Sequence, residues 1–500
     1  MNKKSQAFGD KFQQQLSENP HLSRALKCYQ EKEYTSARML LEVVIKENST
    51  ADVYHLLAIV EQDEGEIEQA INWLNRALEL DSNCADLYNT LGDLLMKRKQ
   101  YSEAVYAFKQ TVKLQPDHPD ARYNLGSSLM HLTKYKEAEA HLRLVREDHP
   151  NYYGALQNLV LVLKNLDRQK EALDTSKRLL AVQESAIALN NHGSILREMD
   201  RKEEALSYFE RAIALDPKYT SAYSNAGLMM FYLGEPELAI AHYKYAITLD
   251  DQNPEFYYNM SFAYFSLNQY GKGWDLSKYR KLVRNMPNYT GKPEWEGESL
   301  QGKKILVTAE QGLGDEIMFA STILDLAQEE GEIIVQCDPR LETIYQRSFP
   351  SIKLLGVERK NIDAGMDIDY ENAIGDLPSF YRRSLEAFPV RDGYLKADPQ
   401  KVNYWRAELD KIGGGLKIGL CWKSGVAERI RKYQLLSSVD ISLFYPILNI
   451  PAITIISLQY TDVMEELKIV KKETGKKIVQ LKGIDMKNDQ DELAALMEAL

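Results

Sequence analysis

Seven alanines, Ala37, Ala70, Ala104, Ala138, Ala172, Ala205 and Ala239, recur at steps of roughly 34 residues and set the register of everything before residue 286. Around them the same helical text repeats. "LGDLLMKRKQYSEAVYAFKQTVKLQPDHP" is followed by "LGSSLMHLTKYKEAEAHLRLVREDHP", and later by "HGSILREMDRKEEALSYFERAIALDP" and "AGLMMFYLGEPELAIAHYKYAITLD". Gly92, Gly126, Gly193 and Gly227 form a second aligned position, and Pro116, Pro150 and Pro217 a third, at repeat ends. The small positions predict two helices in close approach. Phe108, Phe209 and Tyr243 are expected to fill the space beside the following repeat, and the prolines to punctuate the turns because they cannot continue a helix. One such unit cannot bury its apolar face, whereas a stack can. The pattern predicts repeats beginning near Glu18, Ala51, Ala85, Pro119, Tyr153, Ala186 and Thr220, with a degenerate eighth from about Pro254 to Met286.

On these ladders the first half resembles the tetratricopeptide-repeat (TPR) family. The resemblance implies an all-α superhelix over residues 18–286, after an N-terminal segment 1–17, with the first helix of each repeat lining a concave groove. A fourth ladder, Asn124, Asn158, Asn191, Asn225 and Asn259, falls on that helix. An asparagine amide both donates and accepts, so a row of them suits the backbone of an extended peptide. It resembles the asparagine ladder of protein O-GlcNAc transferases and implies a protein or peptide partner in the groove. The competing reading is that asparagine is common here in repeats of many functions. Homo-oligomerisation through the repeats is left open.

Charge and composition narrow the function. The net charge of −11 over 500 residues argues against a general nucleic-acid binder, which carries a basic footprint. The N-terminus has basic residues with no apolar run behind them, so no ordinary signal peptide is read. No stretch approaches the roughly 18 apolar residues of a membrane span. Cys28, Cys84, Cys337 and Cys421 are scattered, which indicates neither a zinc site nor a disulfide framework. A reducing cytoplasm is the expectation. All eight histidines lie between His21 and His242. Chemistry in the second half therefore falls to carboxylates, Lys, Arg, Tyr, Ser or Cys.

After a Pro- and Gly-rich connector, residues 287–303, the text changes period. "KKILVTA", "EIIVQC", "IKLLGV", "LKIGLCWKSG", "AITIISLQY" and "KKIVQLKG" read as strands, separated by helical runs that include one from about Asp315 to Ala327. Strands alternating with helices predict parallel sheets with crossover helices. Two units are expected, residues 304–412 and 413–500, with "KIGGG" as a hinge. Ligands of such sheets bind beyond the carboxyl ends of the strands, where "AEQGLGDEIMFA" and "CWKSG" fall.

"P-x-W-x-G-x-x-L-x-G-K-x-I-L-V" from Pro293 to Val307, followed by "EQGLGDEIMFASTI", resembles glycosyltransferase domains attached to TPRs in bacteria. The Gly-Asp pair also resembles the heptosyltransferases. The resemblance covers Pro293 to Leu500. It implies a GT-B architecture of two Rossmann-like units, acceptor side first and donor side second, and an inverting transfer needing no metal or cofactor, with a nucleotide sugar as donor substrate. Asp315 is the candidate base; its competing role is a helix cap, a favoured use of Asp. Gln311, Gly312 and Gly314 form the acceptor-side loop, while Glu316 is expected to point elsewhere. Lys423, Ser424, Gly425, Arg431 and Lys432 are candidates for the donor diphosphate, against a plain solvated basic loop. Trp295 and Trp422 could stack on a base or sugar, but buried packing is the more common role of tryptophan, and neither is assigned. The family continues past the point where this chain stops, so the second unit reads as incomplete. The reading is a protein O-glycosyltransferase whose repeats recruit the acceptor, flagellin or another surface protein being one. The alternatives are a non-catalytic TPR adaptor and a transferase acting on lipid or polysaccharide.

Overall fold

A computed structural model describes residues 10–118, 120–310, 312–423 and 439–500. The chain divides into two compact units at Met229 and Met230, inside the helix Thr220–Tyr232.

The first unit is a TPR array. Its helices pair as Pro20–Gln30 with Tyr34–Glu47, Ala51–Glu64 with Ile67–Leu80, Ala85–Lys97 with Tyr101–Leu114, Ala121–His131 with Tyr135–Leu142, Tyr152–Asn165 with Gln169–Val182, and Ala186–Glu198 with Lys202–Leu215. Each pair turns on one left-handed residue: Lys32, Gly65, Lys99, Thr133, Asp167 and Asp200. Only one of these is glycine. The turn closes by hydrogen bonds from beyond the helix back onto its last carbonyls, as from the Gln100 N–H to the Leu95 carbonyl at 2.9 Å. The aligned alanines are fully buried. Gly92, Gly126 and Gly193 lie against a side chain of their own repeat's second helix. A Cβ on Gly92 falls 2.6 Å from the Phe108 ring, and one on Gly193 falls 2.7 Å from Phe209. These phenylalanine rings occupy the space that the absent Cβ leaves within their own hairpin.

The second unit carries the helices Pro236–Leu249, Pro254–Ser266, Tyr270–Ser277 and Arg280–Val283, then two parallel sheets. The first sheet uses β1 (Lys304–Thr308), β2 (Glu332–Cys337), β3 (Lys353–Gly356) and β4 (Tyr370–Ala373), in the order β3-β2-β1-β4. The second uses β5 (Leu416–Leu420), β6 (Ile453–Ser457) and β7 (Val479–Gln480), side by side in that order. β1 and β2 are central and nearly wholly buried, matching their runs of Ile, Leu and Val. Ile305, Val307, Ile333 and Val335 pack against Ile323, Ile344, Tyr345 and Phe349 of the covering helices. The helix after β1 runs from Leu313 to Ala320 and a separate turn follows at Ile323–Leu326, so the run to Ala327 is broken in two.

β4 has no counterpart among the predicted strands. Its text, Tyr-Glu-Asn-Ala, is short and polar, yet Glu371 and Asn372 are buried. Both are spent on the connector. Glu371 accepts from the N–H groups of Tyr289 (2.9 Å) and Thr290 (2.8 Å) and from the Thr290 hydroxyl (2.6 Å). Asn372 accepts from the Trp295 N–H at 2.7 Å and donates to the Trp295 carbonyl at 3.2 Å. Between the sheets' helices, the helix Gln490–Ala499 buries Ala495 and Leu496 with Val402, Trp405 and Leu409. Its Asp491 also pairs with Arg347 at 2.8 Å and Lys401 at 2.9 Å. Gly415, at φ +99°, is the point in "KIGGG" that no other residue can occupy: a Cβ there lies 2.4 Å from the Ala452 carbonyl oxygen.

Candidate functional site

A cleft of about 640 Å³ opens beyond the carboxyl ends of β1, β2 and β3. Such a position is where parallel α/β sheets bind ligands. Its walls come from four segments. The loop after β1 gives Ala309, Glu310, Gly312 and Leu313, and β2 with its following turn gives Gln336, Asp338 and Pro339. Glu358, Arg359 and Lys360 follow β3, and residues 284–287 and 289, from the end of the helix Arg280–Val283 into the connector, complete the rim.

Glu316 faces into this cleft. Its neighbour Asp315 does not line it. The expectation that Glu316 points elsewhere is thus reversed, because the helix begins at Leu313 and turns the second carboxylate inward. Glu316 is only 4% exposed. It accepts one hydrogen bond, from the Asp338 N–H at 3.1 Å. Burial, with help from the charge of Asp338, pushes its carboxyl up to about 7, against the opposing pull of that N–H, Arg359 and Arg340. Asp338 is itself held by a two-pronged Arg340 contact, both bonds 2.8 Å. Arg359 has no side-chain hydrogen bond or ion pair among the described residues. A carboxyl poised near neutrality beside an uncommitted guanidinium, in a cleft, can take a proton and steady an anion.

Asp315 instead serves its helix. Its carboxylate accepts from the Gly312 N–H at 3.3 Å, three residues back, in a capping arrangement. Neither glycine of the loop is required by contacts within the protein. A Cβ on Gly314 meets no atom within 4 Å, and one on Gly312 meets only Asp315, at 3.9 Å. Space at both is left toward the solvent side. Gln311 lies outside the described residues.

On the donor side, Ser424, Gly425, Arg431 and Lys432 also lie outside the described residues. Lys423 is described, and its ammonium pairs with Glu466. The backbone there is pinned by Gln459, whose side chain accepts from the Lys423 N–H at 2.9 Å and donates to the Lys423 carbonyl at 2.7 Å. Trp422 is buried and donates to Glu466 at 2.8 Å, and Trp295 is buried in the first sheet's core.

The asparagine ladder is half-buried throughout, and two of its members are engaged. Asn124 donates to Asp93 at 2.9 Å. Asn225 donates to Asn190 at 2.8 Å and accepts from Arg197 at 2.8 Å. These partners sit in the preceding repeat, so the amides stitch consecutive first helices together. Asn158 and Asn191 in the first unit, and Asn259 in the second, make no side-chain hydrogen bond among the described residues. Asp93, behind Asn124, is pushed up to about 6 by burial and by Asp120.

Four residues at the cleft's foundation escaped sequence reasoning: Arg280, Glu310, Glu371 and Asp376. Each is a buried ionisable group at a helix or strand end. The only available signal was an acidic residue directly after a β-rich run, as in "VTAEQ". Among the described residues no cluster of His, Cys, Asp and Glu is arranged for a metal ion. Among the described residues no helix is long and apolar enough to cross a membrane.

Comparison with known proteins supports the repeat reading. The family model for anaphase-promoting complex, cyclosome, subunit 3 matches residues 63–144. Tetratricopeptide-repeat models match residues 186–219 and 227–268. Protein FlbA of Caulobacter vibrioides is 30% identical over 353 residues, covering 66% of this chain and 58% of FlbA. The chain thus spans little more than half the length of that relative. Among solved structures, YrrB, a TPR protein with an unusual peptide-binding site, is 24% identical, covering 37% of this chain and 95% of its own, with a TM-score of 0.32. The C-terminal part of a TPR protein from Cytophaga hutchinsonii is 14% identical over 48% of this chain and 99% of its own, with a TM-score of 0.41. The chain thus carries tetratricopeptide repeats, joined to a region of small parallel sheets.

Proposed function

We propose that this TPR protein is a glycosyltransferase that modifies a protein acceptor, with the repeats recruiting the acceptor and the cleft beyond β1–β3 carrying out the transfer. The observation that carries the reading is Glu316, a buried carboxyl with its proton affinity raised to about 7 at the floor of that cleft. The resemblance of Pro293–Leu500 to TPR-linked glycosyltransferases supplies the substrate class. In the step, Glu316 takes the proton of the acceptor Ser or Thr hydroxyl. The freed oxygen forms a bond to the anomeric carbon, and the bond from that carbon to the diphosphate breaks. The nucleoside diphosphate leaves with the electron pair. Arg359 is suited to the charge that develops on it, as are the donor-side groups Lys423, Ser424, Gly425, Arg431 and Lys432. Asn158 and Asn191, in the first unit, hold the acceptor backbone. Flagellin or another surface protein is the acceptor class, and no metal or further cofactor takes part.

The test is transfer of radiolabel from UDP-, GDP- and dTDP-linked hexoses to protein, alongside donor hydrolysis, in which water replaces the acceptor. Glu316→Gln is expected to lower both rates by about a hundredfold or more, while Asp315→Asn keeps most of the activity. Full activity in Glu316→Gln with loss in Asp315→Asn would return the base role to Asp315. No turnover or binding of any donor by the wild type would leave the scaffold role alone.

A further inference from the structure

The floor of the cleft is held from the last helical repeat. Arg280, in the helix Arg280–Val283, has a side chain 4% exposed; its partner Glu310 is fully buried. The guanidinium donates to both Glu310 oxygens, at 2.9 and 2.6 Å, to Asp376 at 2.8 Å, and to the Ser277 carbonyl at 3.3 Å. Glu310 also accepts from the Gly375 N–H at 2.7 Å. Lys281 adds a pair with Asp376 at 2.5 Å. One arginine therefore ties the segment after β1 to the segment after β4, and both to the end of the repeats. Glu310 itself lines the cleft, two residues before Gly312, where the helix bearing Glu316 starts.

A buried ion pair of this kind is a poor source of net stability, since desolvation of both charges offsets their attraction. Its geometric effect is large, because a two-pronged contact fixes direction as well as distance. We propose that Arg280 is a positioning residue: the terminal repeat sets the loop that carries Gly312 and orients Glu316, so the repeats are a working part of the site and not only a tether. This rests on the transfer reading for its activity readout, but not for its structural one.

Without the guanidinium, Glu310 is a buried, unpaired carboxylate. It must protonate or draw the loop toward water. The second course loosens the burial of Glu316. The groups that face Glu316 are Asp338 and Arg340 from the turn after β2, Cys337 at the end of β2, Arg359 after β3, and Tyr345, whose hydroxyl donates to the Glu316 carbonyl at 3.3 Å. None changes in an Arg280 variant, so a changed Glu316 titration reports the loop.

The experiment compares wild type, Arg280→Lys, Arg280→Met and the charge-neutral pair Arg280→Met/Glu310→Gln in the full chain. The Glu316 titration is followed by NMR of ¹³C-labelled glutamate, with the resonance assigned by its loss in Glu316→Gln. Donor turnover is measured in parallel. The expected result is a midpoint lowered by about one pH unit and kcat at least about tenfold down in Arg280→Met, with Arg280→Lys intermediate. The double variant regains melting temperature but not rate, which separates positioning from fold. Should Arg280→Met not fold, Arg280→Lys and the double variant carry the comparison. A Glu316 midpoint unchanged from wild type in folded Arg280 variants overturns the proposal. Absence of wild-type turnover overturns the transfer reading alone, since the titration still decides the positioning.

Discussion

Glu316 illustrates how a site residue taxes the fold that holds it. Its carboxyl stands near 7 in the folded chain and near its ordinary 4.5 when unfolded. Between those values the folded state binds more protons, so stability falls as pH rises through that window. The loss amounts to about 3 kcal/mol at most, an order-of-magnitude figure. Glu316→Gln removes the ionisable group. Urea unfolding is therefore expected to find the variant gaining on wild type at pH 8 relative to pH 4.5. An equal difference at both pH values would mean that Glu316 is solvated. A second comparison separates the asparagines. Asn225→Ala breaks bonds to Arg197 and Asn190 and should lower stability by about 1–2 kcal/mol. Asn158→Ala and Asn191→Ala should leave stability nearly unchanged and weaken acceptor-peptide binding, measurable by calorimetry. The sequence placed all these asparagines on one helix position correctly, but not their partners. An amide looks the same in text whether it faces a peptide or the previous repeat.

At the scale of elements, the small-residue ladder is the clearest case of sequence fixing structure. Gly193 has a Phe209 ring carbon 2.7 Å from the place of a Cβ. Gly193→Ala should cost about 1–3 kcal/mol through overpacking, and its melting temperature should drop although alanine is the better helix former. No loss would mean the hairpin can open to admit a methyl group. Helices were legible because their apolar period and small-residue spacing persist over some 34 residues at a time. Most strands were legible as buried β-branched runs. β4 was not, since its Glu371 and Asn372 are buried for their hydrogen bonds to the connector, and no periodicity records that. The direction of Glu316 was missed for a related reason. It depends on a helix that begins at Leu313, and the boundary of a helix is the part of it that text specifies least.

For the whole molecule, the connector at residues 287–303 looks like a domain border in composition, yet the compact unit runs from Met230 to Leu500. The last repeat and the first sheet share Arg280, Glu310 and Asp376, and the Glu371 clamp ties the connector to the same sheet. A fragment beginning at Lys304 strands these carboxylates. It should fail to give a cooperative thermal transition, whereas one beginning at Thr220 should give it. Equal cooperativity in the two would make the last repeat dispensable to the sheet. The central claim is that Glu316 accepts the proton in a sugar transfer to protein, and the pH profile of that transfer tests it most directly. The expected wild-type rate climbs through about pH 7 and then levels, as Glu316 loses its proton. Asp315→Asn keeps that shape, and Glu316→Gln gives a slow, flat profile. A wild-type rate already level at pH 5.5, or an unchanged climb in Glu316→Gln, would contradict it.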